Sequence, residues 1–316
     1  MLSKSAIRLF QNLWTRSGPN LPLPSADEQT RLSWARLAAS YAEVPEAYRP
    51  FFDSLPPGKA DPFPYTVITP TFRGFLSPEK EKLICRIDQT LHVLETADTR
   101  LREIRYPLDG IHRIETGSIL LHAWLTINGI DADGKAAATT VRFNSVTEHL
   151  LAPFVEGFRA AVAGPSAGTE PDLSAFDPLE ETHFKFMNYG RKTARPGERV
   201  IQILVQPELR RTYFRLPGFT VSRRIAPAHM AIVTDSELII VRDDPRQGDR
   251  PHPYGGIWNY IPLKKISRVT LLPAEDDSFL LSILLPQNFR IGLPYQSSLH
   301  REATKLTQNI KTEAAG

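Results

Sequence analysis

The 316-residue chain contains one cysteine, Cys85. A single thiol excludes an internal disulfide framework and any multi-cysteine metal knot. Apolar runs such as Ile119–Leu121 and Phe279–Leu281 fall far short of the roughly 20 residues that cross a bilayer as a helix. No G-x-x-x-x-G-K-[ST], G-x-G-x-x-G or G-x-S-x-G occurs, so phosphate cradles and the hydrolase elbow are absent in recognisable form. The eight histidines (His92, His112, His122, His149, His183, His229, His252 and His300) make no H-x-x-x-H or H-E-x-x-H pair. No metal or cofactor is therefore expected. Glycine is outnumbered by proline, 18 against 27. Proline fixes φ and removes a donor, which disfavours long helices.

What remains is globular in composition, with 41% hydrophobic and 23% charged residues, and the length suggests two domains. Residues 1–17 hold three bases, Lys4, Arg8 and Arg16, and no acid. Leu2, Ala6, Leu9 and Leu13 form one helical stripe, widened by Phe10 and Trp14, so this is a basic amphipathic helix. It lacks the apolar core and cleavage site of a secretory signal. Two readings stand side by side: it docks on the protein body, or it touches a membrane. Gly18–Pro24 follows as a linker. Ser25 and Glu28 then form a capping box, and Trp34, Leu37, Ala38 and Tyr41 continue at helical spacing. Residues 45–64 are proline- and aromatic-rich, hence extended or turn-like and wrapped over a domain surface. Residues 1–64 thus read as an α-helical, proline-rich extension.

From Tyr65 the texture becomes strand-like. Tyr65–Thr69, Lys82–Ile87, Leu91–Glu95, Leu101–Tyr106, Ile111–Glu115, Leu120–Ile130 and Ala137–Asn144 lead into a helix at Ser145–Val162, which Pro153 should kink or divide. Residues 164–178 form a linker. In the second half Arg199–Val205 is a strand and Pro207–Arg224 is irregular and basic. The strands Met230–Thr234, Glu237–Arg242, Gly256–Ile261, Ile266–Leu272, Phe279–Leu285 and Phe289–Leu293 precede a closing helix at Ser297–Ile310. The order is a repeat. Ile84 to Leu94 aligns with Ala231 to Val241 at a shift of 147, with Asp88 and Asp235 at the turn. Pro107-Leu108 with Ile111 and Arg113-Ile114 aligns with Pro262-Leu263, Ile266 and Arg268-Val269 at a shift of 155. The difference falls in one hairpin loop, where insertions are tolerated.

The recurring P-L-x-x-I-x-R-[I/V], following Thr234-Asp235-Ser-Glu-Leu238-Ile-Ile240 in the second copy, resembles bacterial pleckstrin-homology-like (PH-like) domains. The resemblance covers about residues 65–163 and 195–313, giving domains at 65–163 and 195–316 with 164–194 as a linker. It implies a mainly β (α+β) chain of two tandem PH-like domains. Each would be a bent antiparallel sheet, or partly open barrel, capped by a C-terminal helix. It also implies a module that binds lipid head groups, peptides or proteins without catalysis. No site residue is carried over from it.

The net charge of +3 conceals an excess of +8 over residues 185–224, where ten bases face only Glu198 and Glu208. Within it Arg210, Arg211, Arg215, Arg223 and Arg224 surround Tyr213, Phe214 and Phe219. Arginine forks suit phosphate. The opposing expectation is a solvated face, or arginines paired with the protein's own acids. A nucleic-acid partner is disfavoured, since such binders are basic over the whole domain. Arg100, Arg102 and Arg105 make a lesser basic cluster. Cys85 reads as core filler, Asp131-Ala-Asp133-Gly134 as a hairpin turn and Glu275-Asp276-Asp277 as a solvated turn.

The expectation is a non-catalytic, cytoplasmic binding or scaffold module, peripheral at the inner face of an anionic membrane through Lys4, Arg8, Phe10, Leu13 and Trp14 with the 210–224 arginines. A protein-interaction scaffold independent of lipid is the alternative. The third reading is an enzyme with an interdomain site, which would gather His112, Asp88 and Arg113.

Overall fold

Strands joined by two-residue turns can only pair antiparallel, and that is how the chain folds. The computed structural model describes residues 34–56, 58, 61–73, 78–97, 100–164, 170–216, 219–244, 255–275 and 277–315. Lys4, Arg8, Phe10, Leu13, Trp14 and the capping box at Ser25 lie outside them. The first half runs β1 (Arg36–Ala38), α1 (Arg49–Asp53), β2 (Thr66–Thr69), β3 (Phe72–Arg73), β4 (Pro78–Glu79), β5 (Lys82–Ile87), β6 (Thr90–Ala97), β7 (Arg100–Pro107), β8 (Ile111–Ile119), β9 (His122–Ile130), β10 (Ala136–Asn144) and α2 (Glu148–Ala163). After α3 (Phe184–Arg191) the second half runs β11 (Val200–Gln206), β12 (Leu209–Leu216), β13 (Phe219–Ala226), β14 (His229–Thr234), β15 (Glu237–Arg242), β16 (Gly256–Pro262), β17 (Arg268–Pro273), β18 (Ser278–Leu284), β19 (Arg290–Gln296) and α4 (His300–Ala315). The architecture is mainly β, with several antiparallel sheets and a C-terminal helix.

The repeat read from sequence recurs in the strand register. Ile84 faces Val93 across β5 and β6, and Ala231 faces Ile240 across β14 and β15. Thr90 faces Pro107, as Glu237 faces Pro262. Even a tertiary hydrogen bond repeats: Leu108 N donates to Gln89 O at 2.9 Å, and Leu263 N to Ser236 O at 3.0 Å. These pairs differ by the same shifts of 147 and 155 that align the sequences. Small hairpins, β3–β4 and β12–β13, occupy matching places in the two halves.

The halves are joined by strand pairing. β8 pairs antiparallel with β16, setting Ile114 opposite Tyr260 and Ser118 opposite Gly256. The result is one seven-stranded sheet, β10-β9-β8-β16-β15-β14-β11. One core cluster also crosses the join, taking in Phe154 and Phe158 of α2, Phe186 and Met187 of α3, and Ile232 and Ile239 of β14 and β15.

Several expectations need correction. Trp34–Ser40 is not helical: Arg36–Ala38 is β1, paired with β2, and only Tyr41–Glu43 makes a single 3-10 turn. Of the supposed apolar face only Ala38 is buried, while Trp34, Leu37 and Tyr41 are 37%, 38% and 41% exposed; β1 satisfies the otherwise open edge of β2. Within 45–64, Tyr48, Phe51, Phe52 and Phe63 pack on the first sheet as expected, yet the stretch includes α1, where Pro50 sits in the first turn that tolerates it. Pro153 does not divide α2, which is continuous over 16 residues; the proline lies on the exposed face. Pro207–Arg224 is not wholly irregular: Leu209–Leu216 and Phe219–Ala226 pair as a β-hairpin, because the backbone ladder needs no apolar alternation. The 164–194 stretch is likewise more than a linker. It carries α3 and buries Phe176, Phe186 and Met187 against the second half.

Candidate functional site

Where β8 meets β16, α2 and α3 close over the sheet and leave a pocket of about 350 Å³. Its walls are aromatic. Trp124 from β9 and Phe143 from β10 come from the first half, Trp258 and Tyr260 from β16 of the second, and Tyr189 from α3. Trp124 is 7% exposed and its Nε1 donates to Glu115 Oε1 at 3.1 Å. Its ring lies flat over Gly117, where a Cβ would sit 2.1 Å from Cζ2. Tyr189 and Trp258 meet with centroids 5.0 Å apart.

The charged lining is Glu148, Glu156 and Lys192. Loss of water raises the pKa of Glu148, opposed by a hydrogen bond from Ser118 and the charge of Lys192. Thr116 and Ser118 also line the pocket, but among the described residues no cysteine or histidine does. The arrangement can hold an apolar or aromatic group with a polar edge at its mouth.

Beside the pocket lies Arg159, 2% exposed. Its Nη2 donates to Glu237 Oε1 at 2.5 Å and to Thr193 O at 2.6 Å, and its Nε to Glu237 Oε1 at 2.8 Å. Glu198 stands at 3.4 Å and Glu156 at 3.3 Å. The guanidinium also lies 4.6 Å from the centre of the Tyr260 ring. Arg195 completes the group through Glu156 at 3.6 Å. These contacts tie α2 of the first half to β15 of the second. Burial, with Glu198 alongside, pushes the Glu237 carboxyl up to about 7 against the pull of Arg159.

The arginines singled out in sequence gather on β12–β13. Arg210 faces Arg224 and Arg211 faces Arg223 across the hairpin. Like charges so placed repel, and nearby acids offset them. Arg210 and Arg224 both reach Glu208, at 2.6 and 3.7 Å, and Arg211 reaches Glu275 at 3.3 Å. Arg223 is exposed. Arg215 pairs with Thr220 in the backbone register.

Other candidates resolve into structure. Cys85 is buried against the α1 segment, and burial pushes its thiol up to about 12. Asp131 Oδ1 accepts from Asp133 N and Lys135 N, a hairpin turn as expected, and Asp133 pairs with Arg105 at 2.9 Å. Among the described residues no group of three or more His, Cys, Asp and Glu is placed to hold a metal. No helix among them is long and apolar enough to cross a membrane. The residues of the enzyme reading do not converge. Asp88 sits in the β5–β6 turn with φ 54°. Arg113 stacks on Phe289 at 4.9 Å and pairs with Glu115. His112 lines a separate cleft that excludes Asp88, and burial lowers its pKa.

The pocket aromatics and Arg159 were not among the residues expected from sequence. Their one visible signal is Trp258 and Tyr260, two apart on a strand and hence on one face. No protein-family model matches the chain, and no curated protein matches it.

Proposed function

We propose that the chain is a non-catalytic scaffold built of two tandem PH-like units, and that it docks a protein partner. The repeated order of strands closed by a helix, with the P-L-x-x-I motifs at equivalent places, supports the PH-like reading. The observation that carries the scaffold reading is the internal use of the arginines. Three of the five on the hairpin lie against Glu208 and Glu275, so an anionic head group would have to displace the protein's own carboxylates. The Arg159 cluster supports it too, since it fixes the two units in one geometry, as a scaffold requires.

Peripheral attachment to an anionic membrane is the second reading. The exposed Arg223 favours it, with Lys4, Arg8, Phe10, Leu13 and Trp14 as a basic amphipathic partner. Apolar insertion and charge attraction are each weak alone. Co-sedimentation with phosphatidylglycerol vesicles separates the two. On the scaffold reading the full chain pellets no more with these than with phosphatidylcholine vesicles. Salt-sensitive pelleting that falls on deleting residues 1–20, or on changing the five arginines to Gln, would overturn it in favour of the membrane.

A further inference from the structure

We infer that the free edge of β17 and the adjoining face of α4 form a groove that docks an extended, acidic segment of a partner protein as an added antiparallel strand. The inference rests on the scaffold reading and names its docking site.

The chain itself demonstrates the mode. In the first half the outer edge of β8, alongside α2, is covered by an incoming strand, β16. The repeat makes β17 the counterpart of β8, and α4 the counterpart of α2. At a shift of 155, Val269 corresponds to Ile114 and Leu271 to Thr116. Yet among the described residues β17 is the outermost strand of its sheet, β17-β18-β19. Ala274 N donates to Ser278 O. With the register of Thr270 opposite Ser282, the alternation of an antiparallel ladder turns the backbone groups of Val269 and Leu271 outward. Such an edge is a template for another strand.

Beside it runs a groove of about 450 Å³ between residues 266–270 and the last turns of α4. Ile266, Val269, Ile310 and Ala314 give it an apolar lining, while Arg268 and Lys311 are its charges. Both are exposed, and among the described residues neither has an acidic partner. Lys264 and Lys265 lie just before β17. An acidic guest therefore fits. A second copy of this chain fits poorly, because β7, the counterpart of β16, would bring Arg100 and Arg102, both exposed on one face, against that basic rim. Pro273 stands where Ser118 stands in β8; having no N–H, it ends the available ladder and keeps the guest short.

The test uses the full chain and a probe patterned on the strand that fills the equivalent groove. The probe is a synthetic Gly-Ile-Trp-Asn-Tyr-Ile-Pro peptide (the sequence of 256–262) with two glutamates at each end. A matched peptide carries two lysines at each end. The glutamate peptide should bind saturably and slow hydrogen exchange at Val269 and Leu271. The lysine peptide should bind about tenfold more weakly, and Arg268→Glu with Lys311→Glu should invert the preference. Both substitutions are at exposed sites, and circular dichroism checks the fold. No saturable binding, protection away from β17, or a preference unmoved by charge reversal would each overturn the groove. If another protein is shown to dock with the β17 amides still exchanging freely, the groove fails and the scaffold stands. Vesicle recruitment as described above would instead remove the scaffold reading itself.

Discussion

Replacing Arg159 by Met tests whether the junction is held by a buried charge cluster. The side chains of Arg159 and Glu237 are each 2% exposed and that of Glu198 is 5% exposed. Met keeps most of the arginine stem, so the cavity created is small. What it removes is the guanidinium that faces two buried carboxylates. Breaking a buried pair from one side costs about 3–5 kcal/mol, because the remaining charge is left without a partner. Losing the contact with the Tyr260 ring adds about 1 kcal/mol. The expected loss is therefore about 4–6 kcal/mol, read from urea denaturation at pH 7 followed by tryptophan fluorescence. Pairing Arg159→Met with Glu237→Gln should recover about half of it or more, since an apolar or neutral replacement of a whole pair is often tolerated. The double variant is the informative member. If Arg159→Met alone costs less than about 1 kcal/mol, below the range for a broken buried pair, or the second change brings no recovery, the cluster does not hold the junction by charge.

The same carboxyl gives a pH dependence. Glu237 is raised by burial to about 7, so its contribution is full below its unfolded value near 4.5 and is lost as pH rises toward 7. Buried His229 is pushed down to about 4 and acts oppositely, its contribution fading as pH falls from about 6.5 toward 4. The parent curve mixes the two, so the check is the stability of the parent relative to Glu237→Gln, which should rise as pH falls from 7 to 5; a constant difference would count against it. Gly117→Ala should force Trp124 off its seat, because the added Cβ would lie 2.1 Å from the ring. A loss of about 1–3 kcal/mol from overpacking and an altered near-ultraviolet dichroism are expected, and a parent-like spectrum would show that the ring does not rest there. Cys85, fully buried with its thiol pushed up to about 12, should resist iodoacetamide in the native protein and react on unfolding; stoichiometric labelling without denaturant would contradict its burial.

Much of the strand order was legible because turn residues punctuate it and because the repeat supplies each half with a check on the other. Asp88 and Asp235 mark equivalent turns, and the shifts of 147 and 155 reappear as registers. Short-range signals failed where the deciding contact was distant. The spacing of Trp34, Leu37, Ala38 and Tyr41 fits a helix, but residues 36–38 find more in pairing with β2. The arginines of 210–224 hid a hairpin, since their charge suggests a loop while Pro217-Gly218 between β-branched and aromatic residues signals a turn. The pocket was less legible than the fold. Trp124, Tyr189 and Trp258 are brought together only by the pairing of β8 with β16, which no local pattern encodes. Nor does anything near Arg159 in the chain announce Glu237, 78 residues away.

That joining strand pair also explains why a sequence built as a repeat folds as one body. Stacked repeats often gain stability unit by unit. Here β14 and β15 are buried on both faces, which their unbroken apolar runs reflect. Ala231, Val233, Leu238 and Ile240 enter the core of the second half, while Met230, Ile232, Ile239 and Val241 enter the core shared with α2 and α3. Removing the first half would expose that second face and unpair β16 at once. In the first half the corresponding outer face, with Leu83, Cys85 and Leu94, is covered instead by Ala38, Val44, Tyr48, Phe51, Phe52 and Phe63. Each copy thus has its first sheet roofed by the segment that precedes it, but among the described residues only the first has its β8-type edge filled. The asymmetry leaves β17 as a strand whose counterpart already accepts a guest, and this makes that edge, rather than the arginine hairpin, the place where an added chain would prolong a pairing the protein already uses.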